Sequence, residues 1–204
     1  LADKRTYVGH VYYGKRIRPQ DMRYLLRVGE PPYVPSENNR ERCSFYDTFP
    51  FEYSGNGVGD YRESAIAVTT VEGQHAILPT YVSYEITKEK PHLAGLPSSF
   101  DRDKKAQTLI IHCTDSVLNV NVDLYYTVFE DTDMITRSVH ICNQDEKPIY
   151  LTKALSACLD MDDNDYEMLT LHGSWARERQ MDRRAIGYGK TSVGSIKGES
   201  SHQE

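Results

Sequence analysis

Side chains able to do chemistry are spread along these 204 residues, and each grouping can be weighed by the spacing its chemistry demands. Gly189-Lys190-Thr191 has the ending of a phosphate-binding loop, but Arg184 stands where the required glycine belongs and no helical pattern follows. A turn between strands is the simpler reading. Asp160, Asp162 and Asn164 have the spacing of the first calcium-loop ligands, yet Asp165 replaces the obligatory glycine and Leu171 the closing glutamate. A solvated acidic connection accounts for them. The seven histidines, at 10, 75, 92, 112, 140, 172 and 202, show no HxH or HExxH spacing, so neither a metal nor a cofactor is expected. Fifteen tyrosines offer rings and hydroxyls of the kind that stack on sugars, although tyrosine also favours sheets and most must be packing residues. Around the only tryptophan, Trp175, lie Arg177, Glu178, Arg179, Asp182, Arg183 and Arg184. Guanidinium planes stack on indole and fork onto carboxylates, so this cluster is suited to tying one surface to another, against the plainer reading of a solvated face.

The elements that must position these groups are strands. Asn119 to Glu130 alternates Val120, Val122, Leu124, Tyr126 and Val128 with polar or amphipathic neighbours, the period-two signature of a half-buried strand. Asp131-Thr132-Asp133 supplies a turn, and Met134 to Cys142 reads as the return strand, with Ile135, Val139 and Ile141 on one face. Asn143 to Pro148 reads as a second turn, leading into Ile149 to Leu159 and predicting a three-stranded meander. Further strands are predicted at Tyr7 to Tyr13, Ser64 to Val71, Tyr81 to Thr87, Gln107 to Cys113, Tyr166 to Leu171 and Ser192 to Ile196. Only Pro19 to Val28 offers a helical window, which Pro31-Pro32 would end. The expectation is an all-β sandwich or barrel.

Composition narrows the partners. Twenty-four Lys and Arg against thirty Asp and Glu leave a net charge of −6, which disfavours nucleic acid and suits a neutral polar ligand. No apolar run reaches membrane-spanning length, and the first thirty residues lack a signal-peptide pattern. Cys43, Cys113, Cys142 and Cys158 include no CxxC pair and read as reduced core thiols, giving the expectation of a soluble, cytoplasmic protein.

Several motifs together are similar to those of glycoside hydrolase family 36 α-galactosidases. Phe49-Pro50-Phe51-Glu52-Tyr53 and Gly59-Asp60-Tyr61-Arg62-Glu63-Ser64-Ala65 resemble that family's aromatic loop and "G-D-F-R-x-P-A", with Ser64 in place of proline. Gly95-Leu96-Pro97-Ser98-Ser99-Phe100 resembles "G-L-P-A-T-Y", and Leu124 to Glu130 with Ile135-Thr136-Arg137-Ser138 resembles "L-Y-Y-T-V-F-E…I-T-R-S". Leu171 to Arg179 and Ser200-Ser201-His202-Gln203 resemble "H-G-x-W-x-R-E-R" and "S-S-H-Q". The matches run in order from about residue 49 to residue 203.

The resemblance implies an antiparallel β-supersandwich, residues 1–204 being the greater part of an N-terminal domain, with further strands and a (β/α)8 barrel beyond it. The implied activity of the parent is hydrolysis, with retention, of terminal α-galactose in melibiose or raffinose-type oligosaccharides. The two aspartates that do this in the family belong to the barrel, so no catalytic residue is expected here. The resemblance also implies a homo-oligomer, commonly a tetramer in which an N-terminal loop reaches an adjacent active site. The proline-rich stretch Arg27 to Asn39 is the candidate loop, with Tyr33 for stacking and Glu30 for sugar hydroxyls; a surface loop ordered only by proline is the competing reading. Trp175, Arg177 and Arg179 are expected at an interface. A stand-alone carbohydrate-binding or assembly module is the alternative to the hydrolase reading.

Overall fold

The computed structural model describes residues 7–18, 20–22, 24, 49–57, 62–103, 105–130, 132–161 and 165–194. The chain divides into two compact units, Leu1–Asp160 and Met161–Glu204. Every regular element among the described residues is an antiparallel strand, as the alternating pattern predicts. The first unit holds β1 (Ile66–Thr70), β2 (Thr80–Thr87), β3 (Ala106–Asp115), β4 (Val120–Phe129), β5 (Met134–Asn143) and β6 (Ile149–Ala154). The second holds β7 (Glu167–His172) and β8 (Gln180–Ala185).

In the first unit, β2, β3, β4 and β5 form a four-stranded sheet in that order, and β1 pairs with β6 in a separate ribbon. The central hairpin is fixed by Asp115, whose buried carboxylate accepts the amides of Leu78 at 2.7 Å, Val117 at 2.8 Å and Leu118 at 2.9 Å. Asn119 completes the turn at φ 54°, a left-handed conformation that asparagine tolerates better than most residues. With that turn set, Val122 faces Ile141 and Cys113, and Leu124 faces Val139 and Ile111. This face packs on Ile66 and Val68 of β1 to make the core, with Ile77, Val120 and Leu118 closing its edge. Burying a Val or Leu side chain contributes about 1.5–3 kcal/mol, so this cluster is the main favourable term of the unit.

The three-stranded meander predicted from Asn119 to Leu159 is corrected. β6 ends at Ala154 and leaves β5 to pair with β1, Ile66 opposite Ala154 and Thr70 opposite Ile149. The connection explains the departure. Asn143 folds it with its own amide, bonding the Lys147 carbonyl at 2.8 Å, while Pro148 has no N–H to extend a β5 ladder. Lys147 then pairs with Glu72 at 2.6 Å and Lys153 with Glu63, both carboxylates flanking β1. Tyr7 to Tyr13 is likewise no strand; a single bridge joins Gly9 to Phe51, and Tyr7 is buried edge-on against Phe51 at 5.8 Å. Residues 192–194 are irregular, and the rest of the strand predicted there, like most of the helical window at Pro19 to Val28, lies outside the described residues.

The second unit is a hairpin with Leu171 opposite Met181 and Leu169 opposite Arg183. β8 carried no strand signal because Gln180-Met181-Asp182-Arg183-Arg184-Ala185 is charged on both parities. Pairing with β7 makes it a strand.

Candidate functional site

The inward face of the four-stranded sheet is apolar until the row formed by Tyr126 and Arg137, which lie opposite each other. Arg137 shares the parity of Ile135, Val139 and Ile141, so the alternation that builds the core carries a guanidinium inward. Its side chain is 10% exposed. A lone buried cation is prohibitively costly, and the chain supplies its partner from the loop before β1. Glu52 brings Oε1 to 2.9 Å from Nη1 of Arg137, an ion-pair contact off the hydrogen-bond line, and the same oxygen accepts the Tyr126 hydroxyl at 2.7 Å. Nη2 of Arg137 donates to the Tyr126 hydroxyl at 3.0 Å, and the guanidinium stacks 4.5 Å from the Tyr126 ring centre.

Oε2 of Glu52 lies 2.9 Å from Nδ1 of His10. A carboxylate accepts only, so Nδ1 carries the proton. The hydrogen bond to Glu52 raises the His10 pKa above the usual imidazole value, against an opposing effect of burial. Burial, reinforced by Glu52, pushes the Tyr126 phenol far above its ordinary range, and burial lifts Tyr53 to about 12 against the opposing charge of Arg137. The knot therefore ties three distant stretches of chain together: the segment at His10, the aromatic loop at Glu52, and strands β4 and β5. With the oxygens of Glu52 engaged and its carboxylate buried, the arrangement suits anchoring and leaves no general base facing solvent.

The neighbouring motif residues do similar work. Arg62 bonds Asp160 at 2.6 Å and the Phe49 carbonyl at 2.9 Å, so Asp160 serves as an ion-pair partner. Phe49 and Phe51 meet at 4.8 Å, and the Tyr53 hydroxyl reaches the Leu155 carbonyl at 2.9 Å. Gly55 allows a close approach of backbones, since a Cβ there would stand 1.7 Å from the Ile77 carbonyl oxygen.

On the opposite face of the sheet, Asp123 bridges His112 at 2.7 Å and His140 at 3.2 Å. Among the described residues no group of three or more His, Cys, Asp or Glu is placed to hold a metal ion. Trp175 sits at the tip of the β7–β8 hairpin, 86% exposed, with Ala176 at φ 65° and Arg179 at φ 63°. Arg177 and Arg179 are exposed beside it. Glu30 and Tyr33, with the whole stretch from Arg27 to Asn39, lie outside the described residues.

Glu52 and Arg137 each stand inside a motif and His10 is one of seven histidines without a metal-binding spacing, so nothing local marks the three as partners. The available signal was parity: a charge at an inward position requires an opposite charge somewhere in the chain.

Residues 6–204 match the description "Glycosyl hydrolase family 36 N-terminal domain". The chain belongs to glycosyl hydrolase family 36. This family member is 37% identical to alpha-galactosidase 1 of Pediococcus pentosaceus over 96% of its own length and 27% of that protein's. It is 36% identical to the bifunctional alpha-galactosidase/sucrose kinase AgaSK of Mediterraneibacter gnavus, over 99% of this chain and 22% of the relative. Among solved structures, the family 36 alpha-galactosidase AgaA of Geobacillus stearothermophilus superposes with a TM-score of 0.90 at 32% identity, covering 98% of this chain and 28% of that one. Variants of that enzyme have been solved in complex with 1-deoxygalactonojirimycin, raffinose and stachyose. The family 36 chain described here thus spans about a quarter of the length of the relatives it matches.

Proposed function

We propose that these residues are the non-catalytic N-terminal β-domain of a longer retaining α-galactosidase that hydrolyses terminal α-galactosyl residues of melibiose and raffinose-type oligosaccharides. The observation that carries this reading is the match of residues 6–204, nearly end to end, to the N-terminal domain of one hydrolase family. Retention requires two carboxyl groups about 5 Å apart, one attacking the anomeric carbon and the other protonating the leaving oxygen, then activating water. That pair belongs to the remainder of the protein. The contribution of this segment is structural: the buried Glu52–Arg137–Tyr126–His10 knot and the aromatic loop fix a rigid surface on which the other parts assemble.

The β7–β8 hairpin is the assembly element. An exposed indole held on a turn with two non-glycine residues at positive φ is costly unless something covers it, and Leu169, Leu171 and Met181 extend the apolar surface. Trp175, with Arg177 and Arg179, joins this domain to another part of the protein or to a neighbouring subunit of a homo-oligomer. The loop carrying Glu30 and Tyr33 completes an adjacent subunit's sugar pocket, a role motivated by its prolines and residue types. Cys113, Cys142 and Cys158 are free thiols, which supports a reducing, cytoplasmic compartment.

The test is expression of the longer protein and assay on nitrophenyl α-galactoside, melibiose and raffinose, with anomeric configuration followed by NMR. Release of α-galactose supports the reading; no turnover, or an inverted product, overturns it. Turnover by residues 1–204 alone, free of host enzyme, would overturn the non-catalytic assignment. Deletion of Pro31 to Ser36 in the longer protein tests the loop, which has no part in substrate binding if oligomeric state and Michaelis constants are unchanged.

A further inference from the structure

Between β2 and β3 the chain follows an irregular course, described at residues 88–103 and 105, and residues of its first part line an open groove of about 870 Å³. The loop is braced from within. The Glu89 carbonyl accepts the hydroxyls of Thr87 at 3.1 Å and Thr108 at 2.9 Å, and Lys90 bonds the Ser98 hydroxyl at 2.6 Å. Asp101 caps the amides of Lys105 and Ala106 at 3.0 and 2.9 Å. Pro91 and Pro97 stiffen the walls, which lowers the entropy cost of holding them in place.

The polarity of this loop is inverted. Its polar groups brace the inside, while Phe100 is 83% and Leu96 65% exposed on the groove. The charged lining consists of Lys88 and Lys90 against Glu89 and Asp101, two cations and two anions, so the groove has no net formal charge. Neither an anionic nor a cationic ligand is favoured by that balance. An exposed ring, an aliphatic neighbour and dispersed donors and acceptors match a neutral ligand that presents C–H faces and hydroxyls together. The Ser99 hydroxyl in the same wall is buried without a hydrogen-bond partner among the described residues.

We propose that this groove binds a neutral oligosaccharide, with the sugar stacked on Phe100 and Leu96 and its hydroxyls met by Lys90, Ser98 and Glu89. The choice of an α-galactoside as that oligosaccharide rests on the hydrolase reading above. Contact with one ring and one aliphatic side chain implies weak, rapidly exchanging binding.

The experiment uses the longer protein saturated with 1-deoxygalactonojirimycin, so that raffinose is excluded from the reaction site, and follows raffinose by saturation-transfer NMR and calorimetry. Wild type is expected to bind raffinose under these conditions, Phe100→Ala to lose at least tenfold in affinity, and Leu96→Ala to weaken it to a smaller extent. Both variants should keep wild-type thermal midpoints and nitrophenyl α-galactoside turnover, since both side chains are exposed and remote from the core cluster. Absence of raffinose binding to the inhibited wild type, including the case in which another surface of the longer protein covers Phe100, overturns the proposal. So does equal binding by Phe100→Ala. Failure of the hydrolase reading shows separately, as no turnover and no inhibitor binding, and raffinose titration of the uninhibited protein then still reads the groove.

Discussion

Replacing Arg137 with methionine keeps most of the side-chain volume and the contact with the Tyr126 ring while deleting the charge. In the wild type the guanidinium is nine-tenths buried, 2.9 Å from Glu52 and 3.0 Å from the Tyr126 hydroxyl. Removing it leaves the Glu52 carboxylate in the interior with only Tyr126 and His10 to compensate. Breaking a buried pair from one side costs about 3–5 kcal/mol, chiefly because the remaining charge is uncompensated. His10 offsets part of this, which places Arg137→Met near the lower end, ~3 kcal/mol. For a chain of this size, 1 kcal/mol shifts the thermal midpoint by about 2–4 °C, so the midpoint should fall by roughly 6–12 °C. The double variant Arg137→Met with Glu52→Gln removes both charges and should be less destabilised than the sum of the singles, with a coupling of about 1–3 kcal/mol. Urea unfolding followed by circular dichroism, on all four members of the cycle at pH 7, measures this. A single variant within about 0.5 kcal/mol of wild type, or strictly additive effects, would refute the claim that the pair is a buried, coupled anchor.

Four further outcomes are expected. Because the folded-state pKa of His10 is raised, its contribution to stability is complete below the unfolded value of about 6.5 and is lost as pH rises through the folded value; the stability gap between wild type and His10→Gln should therefore narrow from pH 5.5 to pH 8.5 in urea titrations. Gly55→Ala places a methyl on the Ile77 carbonyl and should destabilise by more than about 3 kcal/mol, visible as loss of soluble protein or of cooperative melting. Thr108→Val breaks the buried Thr108–Thr127 hydroxyl pair at 2.8 Å and strips the Glu89 carbonyl of a donor, for a cost of about 1–3 kcal/mol by the same titration. Trp175→Ala should change the stability of residues 1–204 by no more than about 0.5 kcal/mol, because the indole is exposed, while light scattering shows impaired assembly of the longer protein.

In the sequence, the arginines and carboxylates around Trp175 suit an interface. The folded hairpin leaves the indole 86% exposed, so its removal costs this chain little.

Period-two alternation by itself placed β4 and β5 to within a residue, because one face of each strand must be apolar to be buried, while β3 followed from its strand-favouring residue types and ends two residues beyond the stretch they mark. The ordered motifs fixed the family. Alternation does not encode which strand pairs with which, so the departure of β6 from β5 to β1 depended on a turn at Asn143, a proline without a donor, and lysines that found carboxylates beside β1. Nor does it assign a strand to Gln180–Ala185, whose charged sequence becomes extended only because β7 offers a ladder. The knot of His10, Glu52, Tyr126 and Arg137 was decided by tertiary structure alone. Its members are separated by up to 74 residues between hydrogen-bonded partners, and only the folded sheet brings an inward guanidinium to a loop carboxylate. Parity announces that Arg137 needs a partner; the cost of burying charge selects one, and the chain's path determines that it is Glu52.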